Sequence, residues 1–64
     1  MKWFNAEVDG SPEHGDEVII SVDGVYHLAV YSGSNKTYIS KRSKKSFKAS
    51  ESTIYWAKIV PPTN

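Results

Sequence analysis

The chain has 64 residues, of which 39% are hydrophobic and 12% aromatic, so it is long enough for one small domain and lacks the low hydrophobicity of a disordered segment. It has no cysteine and no run of about 20 apolar residues, which excludes a disulfide scaffold and a membrane-spanning helix. The net charge of +1 hides a polarity, because residues 1–32 have one basic and six acidic side chains (−5), whereas residues 33–64 have seven basic and one acidic (+6).

The first half of the chain predicts a β-hairpin that follows a short strand and a loop. Residues 3–7 begin with Trp3 and Phe4 and are expected to form the short strand, and the glycine- and proline-containing clusters in residues 9–16 predict the loop. Residues 17–22 and 25–32 are rich in β-branched and aromatic side chains. Asp23 and Gly24 between them favour a two-residue turn in which both positions have a positive φ. We therefore expect a hairpin over residues 17–32.

The second half predicts two more strands with a basic, polar stretch between them. Residues 32–36 are typical of a turn, residues 37–41 of a strand, and residues 53–60 of a last apolar strand that Pro61 and Pro62 would end. No segment has a sustained apolar period of 3.6 residues, which argues against a helix longer than one or two turns. The sequence therefore predicts one all-β domain over residues 1–64, an antiparallel meander of about five strands that forms either a curled sheet or a small SH3-like barrel.

Alternation along the strands divides their side chains between two faces of the sheet. Tyr26, Leu28 and Val30 share one face of the hairpin, and both faces are partly apolar. Either the sheet wraps around its own core or one face is an exposed aromatic patch, and the alternation leaves both arrangements open. In the last strand Tyr55 and Trp56 must point to opposite faces, and we expect Trp56 in the core and Tyr55 on the surface.

No residue pattern favours catalysis or a bound cofactor. His14 and His27 lie thirteen positions apart in a chain without cysteine, whereas a zinc site needs three or four ligands at compact spacing. The four glycines are dispersed among turns rather than grouped in a phosphate-binding loop, and there is no nucleophile elbow. We expect no metal, no cofactor and no enzymatic activity.

Five cationic side chains fall within residues 41–48, beside two aromatic residues. Such a segment could follow a phosphate backbone and stack rings on bases, or it could be a solvated loop that blunts a sheet edge. The acidic first half and a pI near 8.0 count against a dedicated nucleic-acid binder. The candidate partner-binding residues are Tyr38, Lys41, Arg42, Lys44, Lys45, Phe47, Lys48 and Tyr55.

The leading hypothesis is a small non-catalytic binding module that docks a partner protein. Charge polarity alone fits an acidic protein partner or a second copy of the chain equally well. The alternative from another class is a nucleic-acid-binding accessory protein that uses residues 41–48. Because the chain has no cysteine and its N-terminus lacks the apolar run of a signal peptide, we expect it to be cytoplasmic, without a membrane interaction.

Several landmarks occur in the order found in one family of short domains. They are Trp3, Pro12-Glu13-His14-Gly15-Asp16-Glu17-Val18, Gly24, Ala29-Val30-Tyr31, Trp56 and Pro61-Pro62. In this order the chain resembles the DUF551 family, whose members are common in phage and prophage genomes. The lead-in to Val18 and the following hairpin are also similar to SH3-like and Tudor-like barrels. Because the DUF551 family has no established activity, the resemblance implies a phage or prophage context and no mechanism.

Overall fold

The computed structural model describes residues 2–59, which form an antiparallel sheet of six strands. The strands are β1 (Phe4–Asn5), β2 (Glu17–Val22), β3 (Val25–Ser32), β4 (Thr37–Ser40), β5 (Ser46–Phe47) and β6 (Ile54–Lys58). Their order across the sheet is β1-β6-β2-β3-β4-β5. The predicted all-β class is confirmed, and β2 to β5 form the expected meander, whereas β6 returns between β1 and β2. Within residues 2–59 the sheet does not close into a barrel, because β1 and β5 remain as its two edges.

The hairpin over residues 17–32 is confirmed, together with its turn. Asp23 and Gly24 have φ values of 51° and 82°, the left-handed pair that a type I′ turn requires. The turn sets the register, so that Val22 lies opposite Val25 and Ser21 lies opposite Tyr26. Both β2 and β3 therefore present alternate side chains to the same two faces.

Predicted and observed strands differ most near the two edges of the sheet. The strand expected over residues 3–7 is reduced to β1, because the Asn5 side-chain oxygen accepts hydrogen bonds from the backbone N–H groups of Glu7 (2.9 Å) and Val8 (3.2 Å). These bonds turn the chain away from the sheet. Strand β5 was not predicted, because two residues among polar neighbours have no periodic pattern. The end of the last predicted strand at residue 60, with Pro61 and Pro62, lies outside the described residues.

The buried core lies on one face of the sheet, which we call the inner face. Its side chains are Val18, Ile20, Val22, Ala29, Tyr31, Tyr38, Ile54 and Trp56. Trp56 is 5% exposed and Tyr55 is 44% exposed, so the prediction that Trp56 is core and Tyr55 is surface is confirmed. The opposite, outer face has exposed side chains at Tyr26, Leu28 and Tyr55. Of the two arrangements that alternation left open, the structure has the one with an exposed aromatic patch.

The loop between β1 and β2 covers part of the inner face. Ala6 and Pro12 are buried, and the Trp56 Nε1–H group donates a hydrogen bond to the Gly10 carbonyl (2.9 Å). At the far end of the loop, the Gly33 N–H donates to His14 Nδ1 (2.9 Å). These contacts hold the loop against the sheet and leave the outer face uncovered by it.

Candidate partner-binding surfaces

Four of the five cationic side chains of residues 41–48 lie in the turn that joins β4 to β5, and the fifth, Lys48, directly follows β5; we call residues 41–48 the basic hairpin. Its turn is tight, because the Ser40 N–H donates to the Lys45 carbonyl (2.8 Å) and the Lys44 N–H donates to the Ser40 carbonyl (2.9 Å). The side chains of Lys41, Arg42, Lys44, Lys45 and Lys48 are exposed. Since β5 is an edge strand, Lys44, Lys45 and Lys48 lie near one edge of the sheet, whereas the Lys41 N–H donates to the Leu28 carbonyl of β3 (2.9 Å).

One cation of the basic hairpin has an acidic partner in the described part of the chain. Lys41 Nζ lies 3.1 Å from Glu17 Oε1, and both side chains are about half exposed. A pair this open to solvent contributes little to stability. It nevertheless ties the hairpin to β2 and separates Lys41 from the other four cations, for which no salt bridge is found in residues 2–59.

The two aromatic residues predicted to work with these cations point toward the core. Tyr38 is 1% exposed, and its ring packs on Tyr31 with 4.8 Å between centroids. Phe47 is half-buried and packs against His27 at 4.9 Å. Tyr38 therefore offers no surface to a partner, and Phe47 offers only part of one. Tyr38 and Phe47 therefore do not give the basic hairpin the exposed rings that stacking on bases would use.

The Tyr38 hydroxyl is buried in the core. Removal from water raises the pKa of Tyr38 to about 12, an effect that the Ser11 side chain partly offsets and Tyr31 reinforces. Ser11 does not reach hydrogen-bond geometry with this hydroxyl, which has no hydrogen-bond partner among the described residues. Tyr38 is thus a core residue with an unpaired hydroxyl.

An aromatic pocket opens on the outer face, where three rings surround one small side chain. Trp3, Tyr26 and Tyr55 line it together with Ser21. Ser21 lies opposite Tyr26 on one side and Tyr55 on the other, so it leaves a gap between two large side chains. The rings of Trp3 and Tyr26 are 5.9 Å apart and tilted by 34°. Tyr26 is 69% exposed and Trp3 is 38% exposed.

The size of the aromatic pocket limits what it can hold. Its volume is about 250 Å³, below the range of roughly 300–1,000 Å³ that is usual for small-molecule sites. It is also an open depression on the surface rather than an enclosed cavity. Such a site fits one side chain of a macromolecular partner better than a whole substrate or cofactor.

Sequence reasoning placed Tyr55 at the surface but omitted Tyr26 and Trp3 from the candidate residues. The signal for Tyr26 was present in the alternation, because it shares a face with Leu28 and Val30. What was missing is that β6 pairs with β2, so that Tyr55 and Tyr26 flank Ser21. Ser21 and Tyr55 are 34 positions apart in the sequence, and no local pattern predicts that they pair.

Much of the acidic character of residues 1–32 serves the fold. Asp9 Oδ2 accepts a hydrogen bond from the Asn5 N–H (2.8 Å), and Asp16 Oδ2 accepts one from the Glu13 N–H (3.2 Å). Glu17 forms the ion pair with Lys41. Three of the six carboxylates therefore have structural partners. The charge polarity of the sequence thus arises partly from carboxylates that bond within the fold and partly from cations of the basic hairpin, four of which have no salt bridge in residues 2–59.

The fold and these two surfaces define a small β-sheet domain with an aromatic outer face and a basic edge. Within residues 2–59, no three His, Asp or Glu side chains are grouped so that they could hold a metal ion. The same residues include no helix with the length and apolar character needed to cross a membrane. The chain matches no protein-family model, and no curated protein or solved structure matches it. The resemblance to the DUF551 family stays a prediction.

Proposed function

We propose that this chain is a small non-catalytic binding module that docks a partner protein through its outer face. The observation that supports this most strongly is the aromatic pocket, where Trp3, Tyr26 and Tyr55 remain exposed around Ser21. Exposed aromatic residues are costly to keep in water and are enriched at protein interfaces. Tyrosine and tryptophan are also the residues that most often dominate the binding energy of an interface.

The outer face extends beyond the pocket along β3. Leu28 is exposed, and Ile19 and Val30 beside it are half-buried. This apolar strip is bounded by the Glu17–Lys41 ion pair. An apolar centre with a charged rim is the usual composition of a docking surface. The partner that fits it is a protein surface that inserts an apolar side chain into the aromatic pocket.

A nucleic-acid role has less support from the same residues. It requires rings that can stack on bases beside the cations, and Tyr38 is buried whereas Phe47 packs against His27. The exposed rings lie instead on β6, β3 and the segment before β1. The basic hairpin could still contact phosphates, so the test of the proposed function includes oligonucleotides.

The test compares a double variant of the aromatic pocket with a control variant at an exposed apolar residue elsewhere on the surface. Tyr26→Ser combined with Tyr55→Ser removes two walls of the aromatic pocket, and Val8→Ser changes an exposed residue in the loop between β1 and β2. Each protein is immobilised and exposed to an extract of the producing cells, and each protein retained is then purified and titrated by calorimetry. We expect a protein that binds the wild type and Val8→Ser equally, and the double variant at least roughly tenfold more weakly.

Two results would overturn the proposal. One is a purified partner whose affinity is the same for the double variant and the wild type. The other is a set of salt-sensitive amide shifts at residues 41–48 on addition of single- or double-stranded oligonucleotides, without any partner that depends on Tyr26 and Tyr55. The second result would favour the nucleic-acid-binding alternative.

A further inference from the structure

The outer edge of β5 has backbone groups that point away from the sheet. The Ser40 N–H donates to the Lys45 carbonyl (2.8 Å), and residues 38 and 39 lie opposite residues 47 and 46. In an antiparallel pair, hydrogen-bonded and non-hydrogen-bonded positions alternate. Ser46 therefore occupies a non-hydrogen-bonded position opposite Ile39, and its N–H and carbonyl are directed outward, where a further strand would lie.

The opposite edge of the sheet is closed by the chain itself. The Ala6 N–H donates to the Ile54 carbonyl (2.9 Å), so by the same alternation the backbone of Asn5 points away from β6. Both backbone groups of Asn5 bond to Asp9. The Asn5 N–H donates to Asp9 Oδ2, and the Asp9 N–H donates to the Asn5 carbonyl, each at 2.8 Å. An added strand would have to displace Asp9 from this edge.

No backbone partner of this kind covers Ser46 in residues 2–59. Its nearest outward-directed neighbour along the strand is Lys48, whose carbonyl accepts hydrogen bonds from the N–H groups of Glu51 (3.0 Å) and Ser52 (3.1 Å). The carbonyl of Lys48 is therefore occupied by the following turn. The open part of the edge is short and centres on Ser46, which is itself exposed.

The charge along this edge is strongly positive. Arg42, Lys44, Lys45 and Lys48 are exposed, and no salt bridge to any of them is found in the described residues. The acidic neighbour is Glu51, in the turn that follows Lys48. Lysine at a sheet edge opposes pairing with neutral or basic strands, because it brings an unpaired charge next to them. The same lysines favour a strand that carries carboxylates.

We infer that the β5 edge binds an extended, acidic segment of a partner protein, which adds to the sheet as a seventh strand beside Ser46. This inference rests on the proposed docking function but assigns a second surface, which β4 separates from the strands of the aromatic pocket. Main-chain hydrogen bonds to Ser46 supply the strand geometry, as in other complexes formed by strand addition. Carboxylates that meet Lys44, Lys45 and Lys48 supply the preference for an acidic partner. A nucleic acid could meet the charges but could not continue the peptide ladder.

The test uses three end-blocked eight-residue peptides. The first alternates glutamate and valine. The second has glutamine in place of glutamate and so loses the charge. The third alternates glutamate and proline, which keeps the charge but removes strand geometry and backbone donors. Each is titrated into the protein while amide chemical shifts are recorded, and amide hydrogen exchange at Ser46 is measured at the end point. We expect the first peptide to shift residues 45–48 and to slow exchange at Ser46, and the other two to bind at least roughly tenfold more weakly.

A charge-matched pair of triple variants identifies the cations. Lys44→Gln with Lys45→Gln and Lys48→Gln removes three charges at the β5 edge. Lys2→Gln with Lys36→Gln and Lys58→Gln removes three exposed lysines that lie elsewhere. We expect the first variant to bind the glutamate–valine peptide roughly tenfold more weakly and the second to remain within about twofold of the wild type. Ser46→Pro removes the outward N–H at an edge position where proline is tolerated, and should also weaken binding.

Each contrary outcome has a separate meaning. Equal binding of the glutamate–proline peptide would show a charge contact without strand addition and overturn the inference. Concentration-dependent shifts at residues 45–48 without peptide would identify a second copy as the occupant and overturn it too. Shifts confined to Tyr26 and Tyr55, or no shift with any peptide at millimolar concentration, would overturn the β5 assignment and leave docking through the outer face intact.

Discussion

Trp56 lies in a central part of the core and contacts both the sheet and the covering loop, so we expect its removal to have the largest effect on stability. Its ring is 5% exposed and stacks on Phe4 with 4.7 Å between centroids. Its Nε1–H bonds the Gly10 carbonyl across 46 residues of sequence. Replacement of a buried tryptophan by alanine costs about 3–5 kcal/mol. The core of a domain this small supplies about the same amount. We therefore expect Trp56→Ala to be largely unfolded at 25 °C.

Two companion variants separate the contributions of Trp56. Trp56→Phe keeps a ring on Phe4 but removes the donor to Gly10, so we expect a loss of about 1–2 kcal/mol and a folded protein. Tyr55→Ala changes the neighbouring residue on the outer face and should cost less than about 1 kcal/mol. Urea denaturation followed by far-UV circular dichroism measures all three. The reasoning fails if Tyr55→Ala unfolds the protein while Trp56→Ala remains folded, because the register of β6 would then be inverted.

Three further predictions concern the hairpin, the core hydroxyl and the closed edge. Gly24→Ala should lower the free energy of unfolding by about 1–2 kcal/mol in urea denaturation, because φ is +82° and the space around an added Cβ is open, so that only backbone strain contributes; an unchanged midpoint would contradict the turn assignment. The pKa of Tyr38, about 12 in the fold and near 10 unfolded, means that the folded state holds this proton longer. The contribution of this proton to the free energy of unfolding is complete below pH 10 and declines by about 2–3 kcal/mol as the pH rises through 12. Tyr38→Phe should flatten that decline in denaturation curves recorded between pH 8 and 11.5. Equal slopes for both proteins would refute the assignment of the decline to Tyr38. Asp9→Ala should lower stability by about 1 kcal/mol and speed amide exchange at Asn5, because the Asn5 N–H loses its acceptor Asp9 Oδ2 while the backbone bond from the residue 9 N–H to the Asn5 carbonyl is kept; unchanged exchange at Asn5 would show that the Asp9 side chain does not close the edge.

Local chemistry was sufficient to predict the centre of the fold. The Asp23–Gly24 turn and the β-branched runs on either side of it specify a hairpin with one register. The same alternation separated Tyr55 from Trp56 correctly, because adjacent residues in a strand cannot share a face. These inferences succeed because turn dihedral angles and strand alternation depend on residues close together in sequence.

The parts that could not be predicted depend on contacts between distant residues. Strand β5 has two residues, and its pairing with β4 follows from a tight turn in which Lys44 has a φ of 62°. Residue preferences do not predict a positive φ at a lysine. Tyr38 was proposed as a partner contact because of its lysine neighbours in sequence. Its ring instead faces the core, because Tyr38 lies opposite Tyr31 on the inner face. The pairing of β6 with β2 brings Tyr55 to Tyr26, and it too is a long-range contact.

The distribution of charge links the fold to the two proposed surfaces. Asp9, Asp16 and Glu17 have bonding partners within the domain, whereas four cations of the basic hairpin have no salt bridge in residues 2–59. The largest group of cations without a salt bridge in residues 2–59 is therefore near the β5 edge, and the exposed aromatic side chains Trp3, Tyr26 and Tyr55 meet on the outer face. Salt should weaken binding at the β5 edge only, because it screens exposed charges within a Debye length of about 10 Å at 0.1 M and does not weaken apolar contacts. Raising the salt concentration from 50 to 500 mM should weaken the glutamate–valine peptide at Ser46 and leave a partner bound at Tyr26 unaffected. A partner at Tyr26 that dissociates with salt would mean that charge, and not aromatic area, drives docking on the outer face.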